Sequence, residues 1–255
     1  MNLKKILMGS AFFFFALMGI GVSAAHAKEC SLNQSKFEAL SSADDSQDYH
    51  QKIQKELILR KDLISNTLAC AIEEASALKT DVDKLGSAGP ERIWFKISSL
   101  LENSIEYYKL QLTKVPNLGL EGSRYFSKDL LVWRRGNYVP IAKTASNFIV
   151  WSENQNLFRA AQNRLDQISG AVTILKLIEN ESIQVKWNKA SSIFRAALTE
   201  NQNAKRGLEN LDSPEETLTS IKLSLESLSE TYKILYDLVV EINELTSKIQ
   251  QSKER

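Results

Sequence analysis

Residues 183–249 read IQVKWNKASSIFRAALTENQNAKRGLENLDSPEETLTSIKLSLESLSETYKILYDLVVEINELTSKI. In the first half, Ile183, Trp187, Ala190, Phe194, Ala197, Ala204, Leu208 and Leu211 recur at three- and four-residue steps, with Asn201 the one polar member of the stripe. In the second half, Leu218, Ile221, Leu225, Leu228, Tyr232, Leu235, Val239, Ile242, Thr246 and Ile249 keep the same spacing. That period lines one face of a helix. Between the halves, Ser213-Pro214-Glu215-Glu216 has the form of a helix start, with a hydroxyl at the cap, Pro at the first position and Glu three residues on. The stretch therefore predicts two long helices, about 182–211 and 214–250, folded back as an antiparallel coiled-coil hairpin.

The same reading extends toward the N-terminus. A helix over about 46–85 carries Leu57, Ile64, Leu68, Ala71, Ala75, Leu78, Val82 and Leu85 on one stripe, and GSAGP ends it. A second, over about 90–115, carries Trp94, Ile97, Leu101, Ile105, Tyr108, Leu112 and Val115. After PNLGLEGS come a third helix, about 123–135, a break at Gly136-Asn137, and a long fourth helix, about 138–179. The apolar phase slips between Ile178 and Ile183, which predicts a turn near Glu179-Asn180-Glu181. Pro90, Pro116, Pro140 and Pro214 all fall between apolar-periodic segments, as helix breakers should. The expected fold class is all-α, an elongated antiparallel bundle of long amphipathic helices with about five arms. Three of the helices would each be roughly 55 to 60 Å long. The alternative is two bundles in tandem, divided near 116–122.

The N-terminus sets the expected location. Lys4 and Lys5 precede an apolar run from Ile6 to Val22, and Ala25-His26-Ala27 fits a cleavage site, so residues 1–27 read as a removable secretory signal peptide. A retained membrane anchor is the alternative, but a run of about 17 residues is at the short limit for crossing a bilayer. Glu29 before Cys30 argues against a lipid-modified cysteine. Residues 28–45 form an arm, 46–250 one elongated bundle domain, and 251–255 a frayed tail. The expected location is periplasmic or extracellular, with no integral membrane anchor after the signal is removed. In such a compartment Cys30 and Cys70 read as a disulfide closing a loop of about 40 residues, worth roughly 4 kcal/mol on a chain-entropy view. The alternative is two unrelated thiols.

Charge and composition narrow the chemistry. The chain has 32 Lys and Arg against 31 Asp and Glu; loss of the two leader lysines leaves it near neutral. That gives no electrostatic case for nucleic acid. With two His in the whole chain, and no Glu-x-x-His pair after the leader, no metal or other cofactor is expected. The acidic pairs Glu73/Glu74, Asp81/Asp83 and Glu102/Glu106 read as solvated helix faces rather than acid–base catalysts.

The least generic stretch is 124–168, RYFSKDLLVWRRGNYVPIAKTASNFIVWSENQNLFRAAQNRLDQI. Its candidate ligand-binding residues are Trp133, Arg134, Arg135, Asn137, Tyr138, Trp151 and Asn154, since aromatic rings stack on sugars or apolar groups and Arg holds anions in bidentate fashion. The competing reading is structural. Trp133, Phe148 and Trp151 would fill the core, Arg134 and Arg135 would cap a helix C-terminus, and Asn154 would fix register from a buried position. Taken whole, the pattern resembles exported bacterial helical-bundle proteins such as sensor-like domains and adhesin stalks. That resemblance implies architecture alone. The expected function is a non-enzymatic extracytoplasmic binding or scaffold protein that contacts another cell-envelope component or itself through helical faces. A small-ligand or glycan binder using the cluster at 133–151 is the alternative, and a glycan lyase or hydrolase is a distant third.

Overall fold

The computed structural model describes residues 49–86 and 91–253. The expected signal peptide at 1–27, the expected arm at 28–45 and, with Cys30, one side of the expected bridge lie outside these residues. Cys70 is half-buried on the first helix. The elements are α1 (Tyr49–Leu85), α2 (Glu91–Lys114), a 3₁₀ turn (Val115–Asn117), α3 (Leu120–Trp133), a π turn (Arg134–Tyr138), α4 (Val139–Ile174), a 3₁₀ turn (Leu177–Glu179), α5 (Glu181–Asn210) and α6 (Pro214–Lys253). No strand occurs among the described residues, and the fold is an all-α bundle. At 1.5 Å per residue α6 is about 60 Å long, and it runs three residues past the end expected at Gln250.

The α5–α6 hairpin forms where the spacing placed it. Leu211 ends α5 in the left-handed region at φ 58°, and the Asp212 N–H donates to the Gly207 carbonyl at 2.9 Å, which satisfies an end-of-helix acceptor. Leu211 holds this position although Gly would suit it better, because its side chain packs on the core. The Ser213 hydroxyl accepts from the Glu216 N–H at 3.4 Å, a long cap. Gly207 has a packing role: a Cβ there would sit 2.5 Å from the Thr217 hydroxyl oxygen across the hairpin. In an exposed helix Gly→Ala gains about 1 kcal/mol. Here Gly207→Ala is expected to lose about 1–3 kcal/mol through overpacking, with Thr217→Ala restoring most of it. Chemical denaturation of the two single variants and the double variant checks this.

The turn near 179–181 is also found, and its mechanism is local. Lys176, exposed, adopts φ 53°, and Asn180 then caps α5 by accepting from the Ile183 N–H at 3.1 Å. A side chain in the left-handed region costs roughly 1–2 kcal/mol, partly recovered by the stiffer unfolded chain. Lys176→Gly is therefore expected to raise stability by about 0.5–1 kcal/mol, read as a higher urea midpoint at unchanged slope.

The expected break at Gly136-Asn137 is absent. Backbone dihedrals at Trp133, Arg134, Tyr138 and Val139 stay helical, and the Val139 N–H donates to the Arg134 carbonyl five residues back. Chain 120–174 is thus one rod with a single widened turn. Pro140 supplies one reason. It lacks an N–H and would press on the carbonyl four residues earlier, and a widened turn shifts those carbonyls off the α ladder. Phase supplies another. On an unbroken α-helix Leu130 and Tyr138 would lie about 80° apart; the extra residue removes roughly 100° of winding and aligns them. The buried side chains Ser123 and Leu130 of α3 thereby share a face with Tyr138, Ala145 and Phe148. Arg134 and Arg135 cap no helix end, because none occurs there.

Two hydrophobic cores result. The first joins α1, α2, α3 and the start of α4 to the turn end of the hairpin, through Leu68, Ile97, Leu101, Tyr108, Phe148, Trp151, Leu208 and Ile221 among others. Lys61 and Lys96 tie its edges by donating to the Pro116 and Glu209 carbonyls. The second joins the later part of α4 to α5 and α6, through Phe158, Leu165, Ile183, Phe194, Leu235 and Leu238. Helices α4, α5 and α6 run through both, so the cores divide across the rods rather than at 116–122.

Candidate functional site

The widened turn aims the candidate side chains in different directions. Trp133 stacks on Tyr107 of α2 with ring centroids 3.6 Å apart and planes 11° from parallel. Tyr108, next along α2, meets Trp133 edge-on at 5.2 Å and Tyr138 edge-on at 5.6 Å. Arg134 lies over the Tyr138 ring at 4.8 Å, donates to the Glu74 carboxylate at 2.6 Å and donates to the Tyr108 hydroxyl at 3.3 Å. Four rings, one guanidinium and one carboxylate thus bind α1, α2 and the α3–α4 rod together. Aromatic pairs of this geometry contribute about 0.5–1.5 kcal/mol each beyond area burial. The Tyr107-Tyr108 dipeptide and Glu74 belong to the cluster but do not stand out in the sequence. In the sequence Tyr108 is one member of an apolar stripe and Glu74 one of a solvated acidic pair, while Tyr107 carries no signal of its own.

The remaining candidates lie elsewhere. Arg135 is exposed, and Asn137 is exposed with its amide donating to the Trp133 carbonyl at 3.1 Å. Trp151 is buried and faces α5, where its indole N–H donates to the Asn201 carbonyl at 3.3 Å. Asn154 is half-buried and donates to the Val150 carbonyl one turn back, a local bond that fixes no register. Interhelical amide contacts are made instead by Asn147, which donates to the Pro214 carbonyl at 2.7 Å, and by Gln155 with Asn201. The reason is phase: Asn147 points at the α6 start and Gln155 at α5, while Asn154 lies to one side.

Electrostatics hold the three phenols and Arg134 in one protonation state at neutral pH. Burial pushes the Tyr138 phenol far above its usual value, aided by the Glu74 charge. Burial also raises Tyr107, with help from Asp129, and raises Tyr108 against the opposing pull of Arg134. Burial alone would lower Arg134, but its bond to Glu74 more than offsets this and the guanidinium stays charged. Phenols whose folded-state values exceed the ordinary 10.0 contribute stability that is intact below that pH and falls as pH rises through it, because the unfolded chain ionises first. The melting temperature should accordingly drop above about pH 10, and less steeply in Tyr138→Phe. A profile flat to pH 11.5 would contradict the burial of these hydroxyls.

The three phenols and the Arg134 guanidinium are held away from proton exchange near neutrality. Arg134 commits two N–H donors to Glu74 and Tyr108, and one face of its guanidinium lies on Tyr138. The acidic pairs lie in ion pairs or at the surface: Asp83 bonds Lys79 at 2.8 Å, and Lys79 also approaches Glu102 at 3.6 Å. A small apolar cleft of about 100 Å³ lies beside Pro140, between Ile97, Leu100, Ile141, Leu211 and Pro214, with Asp212 at its rim. Among the described residues no group of three or more His, Cys, Asp or Glu is placed to hold a metal ion, and no helix is long and apolar enough to cross a membrane. No protein-family model matches the chain, and neither a curated protein nor a solved structure does.

Proposed function

We propose that the protein is an exported, non-enzymatic binding or scaffold protein of the cell envelope, which meets its partner through helical surface. One observation carries this reading. The constellation best suited by residue type to ligand chemistry is filled by its own members, with Trp133 stacked on Tyr107 and Arg134 bound to Glu74, Tyr108 and Tyr138. Supporting it, large apolar side chains stand in water near the α4–α5 turn, where Ile174 is 81% and Val185 61% exposed. Apolar exposure of that kind marks contact surface when it is clustered. Export rests on residues 1–27, and the Cys30–Cys70 bridge belongs to the same proposal.

A photo-crosslinking side chain at position 174, in cells fractionated by compartment, tests the reading. The expected result is a processed chain in the envelope fraction, lacking two thiol hydrogens until reduced, that yields one discrete adduct. An unprocessed cytoplasmic chain, or no adduct from position 174 or 185, would reject it. The alternative, a small-ligand or glycan binder at 133–151, draws on the half-exposed Tyr107–Trp133 stack. It expects Trp fluorescence to respond to envelope glycans, and the response to vanish in Tyr107→Ala.

A further inference from the structure

Each of the three helices that run through both cores changes core at one level. On α4 the first core ends at Trp151 and the second begins at Phe158. On α5 the switch falls between Ala204 and Ala197, and on α6 between Ile221 and Leu228. The side chains at that level are Gln155, Asn201 and Ser224. Gln155 and Asn201 form a reciprocal amide pair, each donating to the other at 3.1 Å. The Gln155 amide also donates to the Trp151 carbonyl at 2.8 Å, and the Trp151 indole N–H to the Asn201 carbonyl at 3.3 Å. Ser224 is buried and returns its hydroxyl to the Ile221 carbonyl at 2.7 Å. Among the described residues, half-buried Leu225 is the side chain that packs against both cores.

We propose that this polar cross-section divides the molecule into two separately cooperative units, so that the far three-helix end opens while the near end stays folded. Cooperativity between parts of a fold is carried by contiguous apolar packing, and here that packing is interrupted on α4 and α5 and thinned on α6 to the half-buried Leu225 beside Ser224. Paired amides fix which residues face each other, yet a polar pair exchanges hydrogen bonds with water at little net gain, so it transmits little cohesion. The far unit is also the weaker one. It has three rods rather than the near end's larger set, and its closing turn holds Lys176 in a left-handed conformation. Opening uncovers the inner faces of α5 and α6, the amphipathic surfaces that a helical partner takes up. The division holds whether or not the binding role proposed above is correct.

Native-state hydrogen exchange of the full chain, followed residue by residue in rising urea, tests the proposal. Amides of Leu165, Ile168, Ala190, Phe194, Leu235 and Leu238 should merge into one isotherm, with protection about tenfold or more below that of Leu68, Ile97, Leu101 and Phe148. A single isotherm for both sets overturns the proposal. The double variant Gln155→Leu with Asn201→Leu joins the cores, and the far set should rise toward the near one. If the far set keeps its own isotherm there, the polar layer is not the divider. Asn201→Leu alone, which retains the bond from Gln155 to the Trp151 carbonyl, is the second variant should the double one fail to fold. Its far-end protection should move the same way by a smaller factor, and no movement rejects the assignment.

Discussion

Replacing Tyr138 by Ala is expected to lower stability by about 3–5 kcal/mol, the cost of emptying a large aromatic site in a packed core. Tyr138 has no solvent exposure and lies where the α3–α4 rod meets α2. The truncation removes its edge contact with Tyr108 and the ring beneath Arg134. The phenol oxygen itself is buried without a hydrogen bond of good geometry, although the Glu74 carboxylate lies near enough to act on it. Tyr138→Phe should therefore stay within about 1 kcal/mol of the parent, or exceed it, since an unpaired buried hydroxyl is a cost rather than a gain. Denaturant midpoints of the two variants separate the ring from the oxygen. A Phe variant as damaged as the Ala variant would mean that the hydroxyl has a strong partner, and the site would need to be redrawn around it.

Trp151→Ala should cost a similar amount, about 3–5 kcal/mol, but at a different place. Trp151 closes the first core against α5 and donates across to the Asn201 carbonyl. Trp151→Phe keeps most of the apolar contact and removes the donor, so its expected cost is about 1–2 kcal/mol. Fluorescence gives an independent reading. The Trp151 indole should emit as a buried group, while half-exposed Trp94, Trp133 and Trp187 should account for most quenching by a soluble quencher. If Trp151→Phe and Trp151→Ala were both nearly neutral, the indole would be a surface group free for a ligand and the packing described here would fail.

Both predictions concern residues that sequence reasoning singled out for binding and that the fold uses for cohesion. Trp133, Arg134 and Tyr138 do come together, but with Tyr107, Tyr108 and Glu74, which arrive from α2 and α1. Residue type made the stretch stand out; no local pattern says which distant rings will fill it. Asn154 and Gln155 are adjacent, and which of the two spans the interface depends on a helix rotation of 100°. Asn201 is the polar member of an apolar stripe in the sequence, and its pairing with Gln155 follows only from how α4 lies against α5.

Local chemistry determined the rods. Apolar side chains every three or four residues require a helix with one buried face, and Pro214, Asn180 and the phase slip after Ile178 end or start rods through backbone bonding that needs no distant contact. Tertiary packing decided what happens at Gly136, where glycine and a nearby proline signal a break in isolation. The chain continues as a π turn because one extra residue brings Leu130 into line with Tyr138, and burying both faces in a single core outweighs the poorer hydrogen bonding of one widened turn. It also decided that the cores divide across α4, α5 and α6 at Gln155, Asn201 and Ser224. Where a polar layer falls is fixed by how three helices are set against one another, and no single stretch of chain contains that information.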